Sequence, residues 1–432
     1  MENGSPRRYP AESRSPVPHL NAANERQWNI ALIFRIVTPE GTPGALLEIA
    51  RQHRCTDVHF NLEYEINESR RNDQTRNLLE REGIAVHAYH DQVILPPADI
   101  RTGEGRFFSV FTPFRKAYYK LLLERGVEVI GEPKKQAAML GGPDPIPTSV
   151  EGFRSEVDPR LWPAGEAAAS RRLKAFIGNR ISGYKESRDL PALDATSMLS
   201  AYLAAGVLSP RQCMVPALEA NHGKFEGGNE GAACWISELV WREFYRHVLV
   251  GFPRVCMGRP FKPATDRIRW NTDAGALEAW RNGRTGVPIV DAAMRQLASM
   301  GWMHNRLRMI AAMYLTKDLF FDWREGERHF MRHLIDGDLA SNNGGWQWSA
   351  STGTDAAPYF RIFNPISQSK KCDPGGEFIR RWVPELRGIE GDDIHDPSGL
   401  PPLRRSSLDY PEPIVDHSKA RERVMKAFQA LA

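Results

Sequence analysis

The densest concentration of chemistry-bearing side chains lies between Asp336 and Trp348, in the string DGDLASNNGGWQW. Asp336 and Asp338 can accept hydrogen bonds from hydroxyls or pair with arginine, Asn342 can donate or accept, and Gly344 and Gly345 permit a ligand to approach the backbone. Glycines, amides and carboxylates interrupt the stretch, so it is not expected to be an ordinary helix throughout. Its plainer reading is a capped, glycine-rich turn between helices, and the spacing of a calcium loop is absent. A second group, Thr196, Ser197 and Ser200, brings hydroxyls and backbone N–H groups to a helix start, which suits a phosphate or, more simply, an N-cap. No G-x-G-x-x-G or Walker A string exists, so a nucleotide cofactor must be held by other means. His329 and His333 stand four apart without the carboxylate or third ligand of the H-E-x-x-H scheme, and no metal site is predicted. Trp235, Trp241, Trp270, Trp302, Trp323, Trp346 and Trp348 crowd the C-terminal half, where they serve either core packing or base stacking and electron relay.

The elements that must position these groups fall into two kinds. NIALIFRIV (Asn29 to Val37), DVHF (Asp57 to Phe60) and IAVHAYH (Ile84 to His90) read as short strands, separated by helical stretches near Ala45 to His53 and Glu68 to Arg81, the spacing of parallel β-α units. Past about residue 160 amphipathic helices take over. Residues 234 to 249 place Trp235, Ile236, Leu239, Val240 and Phe244 on one face and Glu238, Trp241, Arg242 and Tyr245 on the other. Pro288 opens a helix with Ile289, Ala293, Leu297 and Met300 as its apolar stripe, and a helix near 303 to 319 turns Leu307, Ile310, Tyr314 and Leu315 inward. The resulting fold class is α/β plus all-α: residues 1–24 irregular, a partial parallel α/β domain at 25–135, a Gly/Pro/Ser-rich linker at 136–162, and a helical domain at 163–432. A length of 432 residues and a hydrophobic fraction of 41% suit two or three domains with real cores. Five scattered cysteines, odd in number and never in a C-x-x-C pair, argue against a disulfide framework or a zinc site. With no long apolar run and no apolar segment behind the N-terminal arginines, neither a membrane span nor a secretory leader is supported, and a cytoplasmic protein is expected. A net charge of +4 is compatible with nucleic acid without requiring it.

The strings LVWREFYRH, TGVPIVDAAMRQL, GWMHNRLRMI, DWREGER, LIDGDLASNNGGWQWSASTGTDAAPYFRIFNP and YPEPIVDH resemble the photolyase/cryptochrome family, close to its bacterial class I cyclobutane pyrimidine dimer photolyases. The resemblance runs from about Ile146 to the C-terminus, and FNLEYEINESRRN, VHAYHDQVILPP and FSVFTPFRKAYYK extend it into the N-terminal half. It implies a Rossmann-like antenna domain followed by a helical domain that holds FAD folded on itself. The activity implied is light-driven repair of cyclobutane pyrimidine dimers in DNA, by an electron lent from excited reduced FAD to the flipped-out dimer. Tyr184, Thr196, Ser197, Met198, Leu199, Ser200, Trp235, Glu238, Arg242, Arg308, Asp336, Gly337, Asp338 and Asn342 match family flavin contacts, Asn342 at the residue beside flavin N5. Glu238 and Asn305 match the residues that hydrogen-bond the dimer, and Trp241, Met309 and Trp348 the walls of its pocket. Arg188, Arg306 and Arg361 match phosphate contacts flanking the lesion, with Arg242 and Tyr245 also assigned to the DNA side. Trp270, Trp323 and Trp346 match the family's electron-relaying tryptophans.

Two departures follow from the same resemblance. The family's opening strand and V-W-F-R-x-D-L-R-type segment are missing, so the antenna sheet lacks one or two strands and is expected to expose apolar edges across residues 25 to 135. Asn67 and Glu68 match contacts to a folate antenna, 5,10-methenyltetrahydrofolate, but a lysine usual in that site corresponds to Met257, which tells against folate. The implied partner is dimer-containing DNA, with no membrane and no obligatory protein partner, and the chain is expected to be a monomer. A cryptochrome-like photoreceptor is the rival reading, with a repair-impaired paralogue behind it; Asn342 and Met309 weigh against the photoreceptor.

Overall fold

The computed structural model describes residues 32–137, 144, 145, 147 and 156–431. The expected irregular segment 1–24 and much of the expected linker lie outside them. Near the N-terminus, α1 (Thr42–Gln52), β1 (Asp57–Asn61), α2 (Ile66–Arg81) and β2 (Ala85–Tyr89) form a small α/β layer. The strands pair in parallel with His59 opposite His87. Strand alternation turns Val58 and Val86 inward, where they close a small core with Leu47, Ala50, Leu79 and Ile84.

Among the described residues the third expected strand does not form. Residues 32–37 carry no regular structure, while 29–31 lie outside the described residues. Their backbone groups bond elsewhere: Leu32 O accepts from Asp144 N, and Phe34 N donates to Asp144 Oδ2 at 3.0 Å. An apolar run becomes a strand only beside another backbone ladder, and here a single aspartate takes that part. The sheet's outer face exposes Asp57, His59, Asn61, Ala85, His87 and Tyr89, mostly polar, while exposed apolar side chains in this part of the chain include Ile36, Val37, Leu123 and Ile130.

From Val93 onward the chain joins a second, larger core. Ile94, Leu95, Ile100 and helix α3 (Phe111–Arg125) bury Phe111, Phe114, Tyr118 and Leu122 against Trp235, Leu239, Val240 and Phe244 of the helical half. That half continues through α4 (Glu166–Asn179), the short α5 (Tyr184–Ser187) and α6 (Ser200–Ala204), then α7 (Pro210–Ala220) and the long α8 (Glu230–Gly251). Ser209 begins α7 with a reciprocal capping box to Gln212, and Asn229 caps α8 through Ala232 N. The face of α8 expected to be apolar is buried along its length.

A third core is built by α9 (Ala274–Arg281), α10 (Pro288–Met300), α11 (Asn305–Met313), α12 (Trp323–His333) and α13 (Leu339–Ser349). The chain ends with α14 (Pro365–Cys372), α15 (Glu377–Trp382), α16 (Pro402–Ser406) and α17 (His417–Gln429). Leu307, Ile310, Tyr314 and Leu315 point inward as expected, but α11 passes into a π-helical turn at Tyr314–Asp318. No helix among the described residues is long and apolar enough to cross a membrane.

Candidate functional site

The segment Asp336 to Trp348 corrects its sequence reading. It is largely a regular helix: Asp338 is the N-cap, accepting from Ser341 N at 2.8 Å, and α13 then runs through both glycines to Ser349. Two glycines cost a helix roughly 1 kcal/mol each relative to alanine. Gly344 offsets part of that by close packing, because an added Cβ would enter the space held by the Tyr245 ring of α8. The close approach expected for a ligand at Gly344 is thus made by a neighbouring helix, while Gly345 has open space where a Cβ would point. Gly326 of α12 lies so close to the Trp346 ring that an added Cβ would clash with it. α13 is therefore held against both α8 and α12, and it also packs on α11.

This packing gathers most of the singled-out residues. Arg188 Nη1 donates to Glu238 Oε1 at 2.6 Å, and its guanidinium lies over the Tyr184 ring. Burial works to lower the Arg188 pKa, but the Glu238 carboxylate outweighs it and raises it. Beside them Arg306 pairs with Asp189 and approaches Met309 Sδ at 3.9 Å. Asn305 is exposed at the first turn of α11, and its neighbour His304 is the N-cap, with Nδ1 accepting from Arg306 N. Burial pushes His304 down to about 4, the form that can accept that bond. Trp241 stacks on Phe111 with ring centroids 3.6 Å apart and touches Tyr245, while Trp348 is half-buried and Arg361 exposed.

Deeper in, Arg308 donates to Asp336 Oδ2 at 2.7 Å and to Met303 O, and Trp302 Nε1 donates to Ser200 Oγ at 3.3 Å. Trp235 and Tyr184 both pack on the Phe176 ring in one core with the buried Leu199, while Thr196, Ser197 and Met198 are half-buried. Asn342 is buried and donates from Nδ2 to Glu327 O, which fixes its amide plane. Gly337 bridges the two carboxylates between α12 and α13. Of the three tryptophans matched as a relay, Trp346 and Trp323 are buried and Trp270 is partly exposed beside Phe320.

Arg242 turns elsewhere. Its guanidinium donates to Gln92 O at 2.6 Å and to Leu203 O, and burial lowers it to about 10. One turn on, Arg246 pairs with Asp338 and reaches Gln92 Oε1. Burial would raise the Asp338 carboxyl, but Arg246 and Arg242 hold it below its usual range. Arg211 donates to His90 O and Ile94 O, and Glu243 Oε2 accepts from Ile94 N. The loop after β2 is thus clamped by helical-half side chains that sequence reasoning missed. The only signal for Arg246 was its place four residues after Arg242 on one helix face.

Asn67 and Glu68 sit in the first turn of α2, which packs against the Pro253–Met257 turn and so brings the matched antenna positions near Met257. A cavity of about 700 Å³ lies apart from the predicted set, lined by Arg101, Arg106, Phe107, Phe108, Phe252 and Phe261 among others.

Residues 235–430 match the FAD binding domain of DNA photolyase, and residues 21–134 match DNA photolyase. With the α/β layer and helical body, they define an FAD-dependent flavoprotein of two parts. The chain is 47% identical over 403 residues to the deoxyribodipyrimidine photo-lyase of Escherichia coli, covering 93% of this chain and 84% of that protein. It is 43% identical over 410 residues to the one from Vibrio cholerae, covering 93% and 85%. Among solved structures, a bacterial class III photolyase from Agrobacterium tumefaciens superposes with a TM-score of 0.79 at 35% identity, over 90% of this chain and 82% of that one. A Synechocystis cryptochrome gives 0.76 at 29% identity, over 89% and 82%. The chain belongs to the DNA photolyase family.

The residues present fit an FAD group. Asp336 Oδ1 and Arg246 Nη1 are buried without a partner among the described residues, an acceptor and a donor left for polar groups of a ligand. The Ser200 hydroxyl meets Trp302, in a small core against which Met198 and Ile335, the neighbour of Asp336, also pack.

Proposed function

We propose that this chain is a deoxyribodipyrimidine photo-lyase, repairing cyclobutane pyrimidine dimers in DNA with light. The observation that supports the reading is the packing of α8 and α11 on α13, which joins the helices bearing Glu238, Trp241, Arg306 and Met309 to the helix bearing Asn342 and Trp348, with the Arg188–Glu238 and Arg306–Asp189 pairs beside them. When bound, reduced FAD would supply light-driven one-electron transfer to the dimer and back. The remaining work falls to the chain.

Tyr184, Thr196 to Ser200, Trp235, Arg308 and the Asp336 to Asp338 turn would hold the cofactor, the hydroxyls suiting its pyrophosphate and Asn342 its redox-active nitrogen, while Arg242 stays with Gln92 O and Leu203 O. Glu238 and Asn305 hydrogen-bond the flipped-out dimer, and Glu238, once protonated, donates its O–H to the negative charge that arrives there. For that, Arg188 must loosen its grip on Glu238 or share it, and a DNA phosphate is the anion that would draw Arg188 away. Arg306 and Arg361 neutralise neighbouring phosphates and set affinity and salt dependence more than lesion choice. Trp241, Met309 and Trp348 exclude water and wall the extruded bases, whose poor stacking in a damaged duplex lowers the cost of flipping. Trp270, Trp323 and Trp346 grade from partly exposed to buried and conduct electrons inward.

Damaged DNA is the partner, and the chain works as a cytoplasmic monomer without a protein partner. Asn67 and Glu68 offer little for folate without the lysine that Met257 replaces, so repair runs on light absorbed at the flavin itself. The reduced protein, illuminated with an oligonucleotide carrying one thymine dimer, is expected to restore two thymines. A protein that holds FAD yet restores none overturns the proposal.

A further inference from the structure

The outer face of the two-stranded sheet carries a group of side chains with no part in the repair reading. In parallel register His59 lies directly opposite His87, and Asp57 stands two residues before His59 on the same face. Their rings stack with centroids 4.4 Å apart, and His87 Nε2 lies 2.9 Å from Asp57 Oδ1. One ligand atom from each of Asp57, His59 and His87 can be chosen so that all three lie within 4.8 Å of one another, and all three residues are exposed. Tyr89, next along this face of β2, bonds its hydroxyl to His59 Nδ1 at 2.9 Å.

We infer that Asp57, His59 and His87 form a surface binding site for a divalent transition-metal ion of the zinc type. Two imidazoles and one carboxylate are the ligand set such ions take, in preference to magnesium or calcium. Metal–ligand bonds near 2.0–2.1 Å put neighbouring ligand atoms of a tetrahedral ion about 3.3 Å apart. The 2.9 Å between His87 and Asp57 is already close to that, and the remaining atoms need shifts on the order of 1 Å, within the reach of side-chain rotation. The ion takes the place of the proton shared by His87 and Asp57, releasing it to solvent, and water completes the coordination. Tyr89 orients the ring of His59 through the nitrogen that does not bind metal, as second-shell partners do for liganding histidines. Because the ligands come from both strands, the ion ties β1 to β2.

The test is titration of the metal-free full chain with Zn2+ alone by calorimetry, with Co2+ absorption as a second readout of ligand type. One ion is expected at this site. His59→Ala, His87→Ala and Asp57→Asn should each weaken it at least about tenfold, and Tyr89→Phe by roughly 10–100-fold. Circular dichroism checks that each variant is folded, and amide exchange at residues 57–61 and 85–89 of the unaltered chain should slow when Zn2+ is added. Zn2+ affinity unchanged in the folded variants, or no slowing of exchange in either strand, overturns the inference.

Discussion

Replacing Arg246 by Met tests the joint between the β2 loop and the helix that carries Asn342. Arg246 has a side chain 5% exposed and is paired with Asp338, whose side chain is 15% exposed and caps α13. Removing one member of a buried ion pair costs about 3–5 kcal/mol, because the other charge stays behind without its partner. Asp338 keeps Ser341 N and the nearby Arg242, so the lower part of that range is expected. Set against a typical stability of roughly 5–15 kcal/mol, this is a large fraction, and α13 should loosen before the rest of the helical half. The assay is urea unfolding followed by near-ultraviolet dichroism, with FAD content measured in parallel, for Arg246→Met, Asp338→Leu and the double variant. Arg246→Met is expected to lose roughly 3 kcal/mol and most of its flavin, and the double variant to cost less than the sum of the singles. A loss below about 1 kcal/mol, the worth of a surface pair, or strict additivity would refute the reasoning.

Two further outcomes follow from particular contacts. Gly326→Ala should push the Trp346 ring out of place, costing roughly 1–3 kcal/mol as overpacking does, and should shift indole fluorescence without altering far-ultraviolet dichroism. An unchanged emission spectrum and stability would show that α12 and α13 separate freely. His304 is neutral when folded, with a pKa of about 4 against 6.5 unfolded, so between those values the unfolded chain binds more protons. Its contribution, roughly 3 kcal/mol as an upper figure, is whole above pH 6.5 and drains away as pH falls toward 4. His304→Gln, which keeps an acceptor for the Arg306 N–H, should flatten that part of the stability profile. A variant profile parallel to the unaltered chain's would mean that His304 does not titrate with folding.

Elements whose reason lies within a few residues were legible in the sequence. The α8 stripe from Trp235 to Phe244, Pro288 at the start of α10, and the strands beginning at Asp57 and near Ile84 all sit where periodicity and turn chemistry place them. Features whose reason lies far along the chain were not. Gly344 and Gly345 read as a break, yet the ring of Tyr245, a hundred residues earlier, makes a helix worthwhile there. Residues 32–37 have the apolar pattern of a strand, but strand formation depends on a neighbour, and Asp144 takes their bonds instead. The site was readable as residue types matched to a family, whereas its joints were not. Arg242 was assigned to cofactor and DNA, while its guanidinium bonds to Gln92 O in the loop after β2, a contact no local pattern announces.

That loop bears on how such a protein can be rebuilt by exchange of parts. The obvious cut is the Gly- and Pro-rich stretch after residue 136, but the chain from Val93 to Leu122 is already knitted into the helical core, and three arginines and a glutamate grip its leading turn. A chimera joined at residue 136 would carry a foreign strip through the middle of its neighbour's interior. A crossover just ahead of His90 would leave the inherited clamp and its loop together, so N-terminal α/β layers of different ancestry should be interchangeable there and incompatible at the apparent linker.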